Sequence, residues 1–167
     1  MKYLITGNSG SGKSSVSEEL RQRGYEVYDA DEGFGHWVHK ESGDICTSRP
    51  AANRQDYYWV WDIDKIERLL KDAGGKNMFF CGLATNQDRL YKDFDKILVL
   101  DCDLETIKSR LKNRQNNPFG KRPDDLDWVR DTHKRLQPEL QEVGAINVDA
   151  TLPLDDVVGQ ILETTNA

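Results

Sequence analysis

Residues 7–15 read GNSGSGKSS and follow the short apolar run YLIT. The spacing G-x-x-x-x-G-K-[ST] is matched by Gly7, Gly12, Lys13 and Ser14. Glycines let a backbone curl so that successive N–H groups point at phosphate oxygens. The lysine adds a mobile positive charge, the serine hydroxyl can ligate Mg²⁺, and the following helix N-terminus attracts anions. The stretch predicts a nucleoside triphosphate site formed by Gly7, Ser9, Gly10, Ser11, Gly12, Lys13, Ser14 and Ser15.

Two aspartates, Asp29 and Asp31, end the strand-like segment YEVYDAD. Residues two apart on an extended chain point to the same side. Near the phosphate loop, one carboxylate can hold Mg²⁺ through water while the other orients the hydroxyl of an acceptor molecule. Phosphoryl transfer depends on such positioning more than on covalent chemistry. A solvated acidic turn before Gly33 is the alternative interpretation.

A basic segment, residues 106–123, contains no acidic residue, although the whole chain has a formal net charge of −6. Arg110 and Arg114 are four residues apart and therefore share one face of a helix. Guanidinium groups bind phosphate oxygens in a planar fork. The segment is predicted to bind phosphate, with a solvated basic helix face as the alternative. Its cations are Lys108, Arg110, Lys112, Arg114, Lys121 and Arg122.

Two other uses of a triphosphate are disfavoured by the rest of the sequence. A GTPase needs DxxG and NKxD motifs after strands, but DAGG (72–75) precedes its strand and TNQD (85–88) lacks the lysine. Both are interpreted as turns. A motor ATPase needs Asp-Glu at the end of an apolar strand, and ILVLDCD has Cys102 in place of that glutamate. The remaining features favour phosphoryl transfer to an acceptor.

Apolar runs and helical periodicities alternate along the chain. Strands separated by helices predict an α/β fold in three layers, with a five-stranded parallel sheet covered by helices on both faces. Residues 33–60 are expected to be irregular. Strands are predicted at 3–6, 25–31, 77–82, 96–101 and 145–150, and helices at 13–23, 63–73 with Asp62 as cap, 104–114, 124–143 and from Pro153 onward.

Composition limits the class of protein. The 167 residues suit one domain, 1–167. The acidic balance disfavours a general nucleic-acid binder, which needs a broad basic face. Without an apolar run of ~18 residues or a signal-like N-terminus, neither a membrane span nor a leader peptide is expected. Cys46, Cys81 and Cys102 lack metal-type spacing and are interpreted as reduced thiols of a cytoplasmic protein.

Nearly the whole chain, in its motifs and order of elements, resembles the small P-loop kinases: nucleoside monophosphate, shikimate and gluconate kinases. The resemblance is carried by LITGNSGSGKSS, VYDADE, SRLKNR…GKR and NVDATLPLDDVV. It implies the three-layer P-loop NTPase fold, with ATP and Mg²⁺ as cofactors. It also implies that Asp29, with Ser14, lies near the metal and that Asp31 contacts the acceptor, as in shikimate-type kinases.

The same resemblance implies roles in the C-terminal half. Arg110 would stack on the adenine and Arg114 would reach phosphate. Residues 115–123 would form a short lid that closes over the triphosphate and excludes water. The turn containing Thr151 and Pro153 would pack against the adenine edge. The predicted catalytic residues are Lys13, Asp31 and Arg114.

The acceptor is expected to bind the segment 33–62, where such kinases carry a variable insert. This segment holds three of the four tryptophans together with Arg49 and Arg54. Aromatic rings can stack a base and arginines can grip a phosphate, which favours a nucleotide or nucleoside as acceptor. Lys121 and Arg122 are the other cations predicted to bind substrate. Whether the stretch YYWVW faces the core or the substrate is left open.

The sequence therefore predicts an enzyme that transfers a phosphoryl group from ATP, with Mg²⁺, to a small-molecule acceptor. Two alternatives stay open. One is an enzyme acting on a nucleic-acid end, which the basic segment and the aromatic rings would grip. The other is a regulator that only senses ATP. The sequence does not distinguish ATP from GTP as donor, or a monomer from a homodimer.

Overall fold

The computed structural model of the protein describes residues 1–46, 50, 54–115 and 119–167. Short 3₁₀ helices lie at Arg54–Asp56 and Gln87–Asp93. No helix within these ranges is long and apolar enough to cross a membrane. The described strands and α-helices are, in chain order, β1 (Lys2–Thr6), α1 (Lys13–Gln22), β2 (Glu26–Asp29), β3 (Gly35–His39), β4 (Ile45–Cys46), β5 (Tyr57–Trp61), α2 (Ile63–Asp72), β6 (Met78–Cys81), β7 (Lys96–Asp101), α3 (Leu104–Asn113), α4 (Pro123–Glu142), β8 (Ile146–Asp149) and α5 (Leu154–Thr165).

A five-stranded parallel sheet with the order β2-β6-β1-β7-β8 forms the centre of the molecule. Leu4 of β1 is paired with Phe80 of β6 on one side and with Ile97 of β7 on the other. The strand order therefore reverses at β1. Ligands of open α/β sheets bind beyond the carboxyl ends of the strands at such a reversal. The predicted α/β fold with five parallel strands is confirmed.

The two faces of this sheet bury different side chains, because successive residues of a strand point to opposite faces. Tyr3 and Ile5 pack on one face with Val16 of α1 and Ile161 of α5. Leu4 packs on the other face against side chains of α2 and α4. Because β1 is packed between helices on both faces of the sheet, its carboxyl end gives the following loop a defined position.

The segment 33–60, expected to be irregular, contains a second sheet, so that prediction is wrong. β3, β4 and β5 form a three-stranded antiparallel sheet in the order β4-β3-β5. In its register Trp37 of β3 lies opposite Trp59 of β5. These strands are short and far apart in sequence. Short strands of this kind are stabilised by side-chain pairs between strands, and such pairs leave no periodic pattern in the local sequence.

The antiparallel sheet is fixed to the central sheet at the segment that follows β6. The backbone N–H of Thr85 donates to the carbonyl oxygen of Trp59 (2.9 Å). The side chain of Asn86 accepts from the N–H of Trp61 (2.8 Å) and donates to its carbonyl oxygen (3.0 Å). The Trp61 ring is buried edge-on against Phe80. β5 therefore has a defined position beside the carboxyl edge of the central sheet.

Several predicted boundaries differ little from the observed ones. α4 begins at Pro123 and includes Pro138, and α5 begins at Leu154 with Pro153 as its N-cap residue. DAGG ends α2, with both glycines at positive φ, as a helix stop requires. TNQD leads into the 3₁₀ helix Gln87–Asp93. Both fragments therefore serve as turns, as interpreted from the sequence.

Candidate active site

The phosphate loop, residues 7–12, joins the carboxyl end of β1 to the N-terminus of α1. Gly7 has a φ of 150°, and a Cβ added there would lie 2.9 Å from the carbonyl oxygen of Leu100. Gly12, the N-cap residue of α1, has a φ of 109°. Both positions therefore require glycine. The first N–H groups of α1 have no partner within the helix and are available to an anion at the loop.

Lys13 begins α1, and its side chain folds back over the loop. Its Nζ donates hydrogen bonds to the carbonyl oxygens of Gly7 (2.7 Å) and Asn8 (3.0 Å). Burial lowers the pKa of Lys13 to about 8, although the charges of Asp31 and Asp29 oppose this shift. The ammonium group is thus held at the loop, within electrostatic reach of the two predicted acids.

Asp29 ends β2, and Asp31 follows at the same edge of the sheet. The Oδ1 atom of Asp29 accepts a hydrogen bond from the backbone N–H of Asp31 (2.9 Å). Burial, and then repulsion by Asp29, raise the pKa of Asp31, while the charges of Lys13 and Arg114 oppose this shift. The structure therefore brings the acidic pair, the loop lysine and one helix arginine together.

Arg110 lies in α3, and Arg114 is the residue that caps its C-terminal end. Arg110 donates to the carbonyl oxygen of Ser11 (3.1 Å) and to that of Ala150, just after β8 (2.7 Å). Arg114 donates to the carbonyl oxygen of Phe119 (2.7 Å). Arg110 therefore ties the loop to the end of β8, and Arg114 ties α3 to the segment before α4.

Lys13, Asp31, Arg110 and Arg114 line one cleft with a cavity volume of about 690 Å³. Residues 9–16 form part of its lining, together with Asp31 and the two arginines. Apolar side chains at and after the end of β8 contribute another part, and tryptophans of the antiparallel sheet a third. The remaining lining residues are Trp37, Trp59, Leu83, Thr85, Phe119, Trp128, Ala150, Leu152, Leu154 and Val157.

Some predicted site residues do not line the cleft, among them Gly7, the first residue of the phosphate loop, and Asp29, whose carboxylate accepts from the N–H of Asp31. Lys121 donates to the carbonyl oxygen of Lys112, and Arg122 forms an ion pair with Asp124 (2.9 Å). Neither Lys121 nor Arg122 lines the cleft. Thr151 and Pro153 do not line it either, although their neighbours Ala150, Leu152 and Leu154 do. Arg49 and part of the predicted lid, 116–118, lie outside the described residues, and only the backbone of Arg54 is described, at the start of a 3₁₀ helix.

Several cleft residues were not found from the sequence. Leu83 and Thr85 follow β6, and the rule that parallel strands end at the same edge could have located them. Trp128, on α4, packs edge-on against Phe119 with ring centroids 5.5 Å apart, and no local pattern signals this contact. Asn8 braces the loop, because its Nδ2 donates to the carbonyl oxygen of Val129 of α4 (2.8 Å).

Together the fold and the cleft define a P-loop nucleotide-binding α/β protein. Residues 4–136 match the family model described as an AAA domain, and the chain belongs to this family. The predicted resemblance to the small P-loop kinases is confirmed by the relatives and structures below.

Curated relatives include kinases from archaea and bacteria. A protein of Archaeoglobus fulgidus, named provisionally as an adenylate kinase, is 30% identical over 68% of this chain and 53% of its own length. The thermoresistant gluconokinase of Escherichia coli K12 is 22% identical over 96% of this chain and 91% of its own. The chain spans only about half of the Archaeoglobus relative.

Solved kinase structures share the fold. Shikimate kinase from Acinetobacter baumannii in complex with shikimate superposes with a TM-score of 0.62 at 19% identity, covering 98% of this chain and 92% of that one. Deoxyadenosine kinase from M. mycoides has a TM-score of 0.61 at 16% identity, covering 99% of both chains. These likenesses extend over the whole three-layer architecture.

Proposed function

We propose that this protein transfers the γ-phosphoryl group of ATP, in the presence of Mg²⁺, to a small-molecule acceptor, and that the acceptor is a nucleotide or nucleoside. One observation carries the proposal: Lys13, Asp31 and Arg114 line one cleft, and Asp29 lies beside Asp31, from whose backbone N–H it accepts a hydrogen bond. Phosphoryl transfer needs the donor charge neutralised and the acceptor hydroxyl positioned, and these groups supply both functions.

The donor half of the cleft suits a nucleoside triphosphate. The loop N–H groups, the N-terminus of α1 and Lys13 offer positive charge to the phosphates. Beyond Arg110, the apolar side chains of Ala150, Leu152 and Leu154 offer an uncharged surface to a purine. We infer that Arg110, bound to backbone carbonyls of both regions, lies between the phosphate and base subsites.

The oxygen groups beside the loop fit Mg²⁺. Ser14 is exposed in the first turn of α1, and Asp29 lies within electrostatic reach of Lys13. Mg²⁺ is bound by few protein oxygens when phosphates and water complete its octahedron. The described residues contain no cluster of three or more His, Cys, Asp or Glu side chains, so a dedicated protein cage is not formed there. When bound, the ion would neutralise phosphate charge.

Asp31 is the residue that we expect to bind the hydroxyl group of the acceptor. Its carboxyl lines the cleft and is close enough to Lys13 for their charges to interact. A carboxylate with a raised pKa is a better acceptor for the hydroxyl proton that must leave during transfer. Arg114, whose charge also reaches Asp31, would stabilise negative charge on the transferring group. Phe119 and Trp128 would reduce the access of water, which favours transfer over hydrolysis.

A transfer assay tests this function. Purified protein is incubated with ATP or GTP, with and without Mg²⁺, and with a panel of nucleosides, nucleoside monophosphates and small hydroxy acids. We expect Mg²⁺-dependent phosphorylation of at least one nucleoside or nucleotide, and a melting temperature raised by the donor through mass action. Tight ATP binding with no transfer would support a regulator instead. Salt-sensitive phosphorylation of oligonucleotide ends alone would support the nucleic-acid alternative.

A further inference from the structure

The antiparallel sheet presents an aromatic pair to the cleft. Trp37 and Trp59 are directly opposite one another on β3 and β5, with ring centroids 5.1 Å apart and planes inclined by 57°. Both side chains are half-buried and line the same cavity as Lys13 and Asp31. The pair is therefore continuous with the proposed phosphoryl-transfer site.

The face that carries this pair runs from the core to the cleft. Strand periodicity places Tyr57, Trp59 and Trp61 on one face of β5. Trp61, at one end, is buried in the core with only 2% of its surface exposed. Trp59, one step along the same face, lines the cleft instead. The core end of β5 thus anchors the tryptophan that faces the cavity.

Gly35 leaves space for the Trp59 ring. A Cβ added to Gly35 would lie 2.4 Å from Cζ2 and 2.8 Å from Cε2 of Trp59. The ring therefore lies directly over the glycine backbone, and any side chain at position 35 would displace it. The hydrogen bond from Thr85 to the Trp59 carbonyl fixes the backbone of the same residue. Both contacts hold the indole in place before a ligand binds.

Resting on the proposed function, we propose that Trp37 and Trp59 determine acceptor specificity by stacking on a planar ring, so that the acceptor is a nucleobase-containing molecule rather than an open-chain polyol. An indole face gains most from a flat π-system, whereas a polyol needs several directed hydrogen bonds. Gly35 is a positioning residue, which acts by keeping the Trp59 ring in the cavity. A rigid platform also lowers the entropy lost on binding.

The test compares Trp37→Leu and Trp59→Leu with Tyr58→Leu, a matched control on the other face of β5. Tyr58 is 44% exposed and does not line the cavity. Base stacking contributes ~1–3 kcal/mol, so each tryptophan variant should raise the acceptor KM between about fivefold and about a hundredfold. The ATP KM should change less than about twofold, and Trp59→Phe should recover most of the loss. Tyr58→Leu should behave as the unmodified protein.

A second measurement does not depend on turnover. Adenosine, cytidine, guanosine, thymidine and their monophosphates, with gluconate and shikimate as non-aromatic comparisons, are titrated while tryptophan fluorescence is recorded. We expect quenching by at least one base-containing compound, lost in Trp37→Leu and Trp59→Leu and weakened in Gly35→Ala. Circular dichroism checks that each variant is folded.

The outcomes separate the two proposals. Transfer to any acceptor with an unchanged KM in folded tryptophan variants overturns the stacking proposal and leaves the kinase proposal standing. Preferred phosphorylation of gluconate or shikimate also overturns it. Tryptophan-dependent quenching by a nucleoside without any phosphoryl transfer supports the stacking platform and refutes the kinase function.

Discussion

The ammonium nitrogen of Lys13 lies 2.7 Å from the carbonyl oxygen of Gly7, so one hydrogen bond joins the first residue of α1 to the first residue of the phosphate loop. The bond holds the lysine beside the N–H groups with which it would share a phosphate. Burial at this position has an energetic consequence, because the folded chain disfavours the charged lysine that the proposed function needs.

The first prediction concerns the pH dependence of stability. The pKa of Lys13 is lowered to about 8 in the folded chain, against about 10.4 for an unperturbed lysine. Between these values the unfolded chain holds more protons, so the contribution of Lys13 to the unfolding free energy rises with pH. Lys13→Met should therefore be at least as stable as the unmodified protein near pH 7, and lose this advantage near pH 10.

Urea denaturation of both proteins at several pH values measures this difference directly. Other lysines and tyrosines titrate in both chains, so they cancel when the two unfolding free energies are subtracted. A difference that stays constant from about pH 7 to about pH 10 would show that Lys13 is not perturbed. The same variant should lose phosphoryl transfer by about a hundredfold or more, as the loss of a main electrostatic donor does.

Asp31→Asn should lower activity without lowering stability. The pKa of Asp31 is raised by burial and by Asp29, so the folded chain holds this proton at higher pH than the unfolded chain. Stability contributed by Asp31 is therefore lost as pH rises through that window, and a neutral amide restores it at pH 7. Because Asp31 is exposed at the cleft, solvent screens this effect, and we expect a melting temperature that is unchanged or only slightly higher. Transfer should be reduced about 10²–10⁴-fold, as expected for loss of a general base.

Glu32→Gln is the control for that variant. Glu32 is the next residue, its side chain is 65% exposed, and it forms an ion pair with Arg21 (3.0 Å). The exposed pair contributes little, so both rate and melting temperature should change only slightly. Equal loss of activity in the two variants, measured in the same transfer assay, would argue for a general electrostatic effect rather than a specific role of Asp31.

Some of this arrangement follows from local sequence and some does not. The glycines, lysine and serine of the phosphate loop can be recognised from the sequence, because their spacing forms a local motif and the glycines allow its turn. β7 is equally clear, since Ile97–Leu100 is an unbroken apolar run buried on both faces. From these elements the sequence predicts the parallel sheet and a ligand site at its carboxyl edge.

The sequence placed the aromatic segment 33–62 at the acceptor, but nothing local signalled that Trp37 and Trp59 would pair. Each tryptophan sits in a short strand, and only their pairing across the antiparallel sheet creates a surface that lines the cleft. Trp59 and Trp61 share a face by strand periodicity, yet one lines the cavity and the other lies in the core. Which end of β5 lies in the core depends on where this strand is attached to the rest of the fold. Here the hydrogen bonds of Thr85 and Asn86 to β5 fix that position.

Arg114→Ala should reduce transfer far more than stability. Its guanidinium donates to the carbonyl oxygen of Phe119, and its charge reaches both Lys13 and Asp31. Removal of one donor that stabilises the transition state lowers kcat by about 10²–10³. Loss of one such hydrogen bond lowers the unfolding free energy by only about 1–3 kcal/mol. The melting temperature should fall by a few degrees, and Arg114→Lys should retain part of the activity.

Lys108→Ala is the matched control, since Lys108 lies in α3, the helix that Arg114 caps, and forms a surface ion pair with Glu105 (2.8 Å). Its loss removes one positive charge from the basic segment without touching the cleft. The transfer assay should show little change. If Lys108→Ala and Arg114→Ala reduced the rate equally, the basic segment would act through its total charge and not through a positioned arginine.

The last prediction tests how the two sheets are joined. Gly82 follows β6, and a Cβ placed there would lie 2.3 Å from Cβ of Ala30 and 2.9 Å from Cζ2 of Trp61. Gly82→Ala would force these groups apart, which costs about 1–3 kcal/mol of unfolding free energy. At Gly159, inside α5, an added Cβ would have no atom within 4 Å apart from its chain neighbours and the backbone of its own helix. There the same substitution should stabilise the helix by about 0.5–1 kcal/mol.

Urea denaturation of the two variants therefore gives opposite signs for one chemical change. Because Trp61 anchors β5, displacement by Gly82→Ala should also move Trp59 and raise the acceptor KM, whereas Gly159→Ala should leave KM unchanged. Destabilisation by Gly82→Ala without any change in KM would mean that the antiparallel sheet keeps its position independently of the Trp61 contact. In that case the hydrogen bonds of Thr85 and Asn86 alone would be sufficient to hold it beside the cleft.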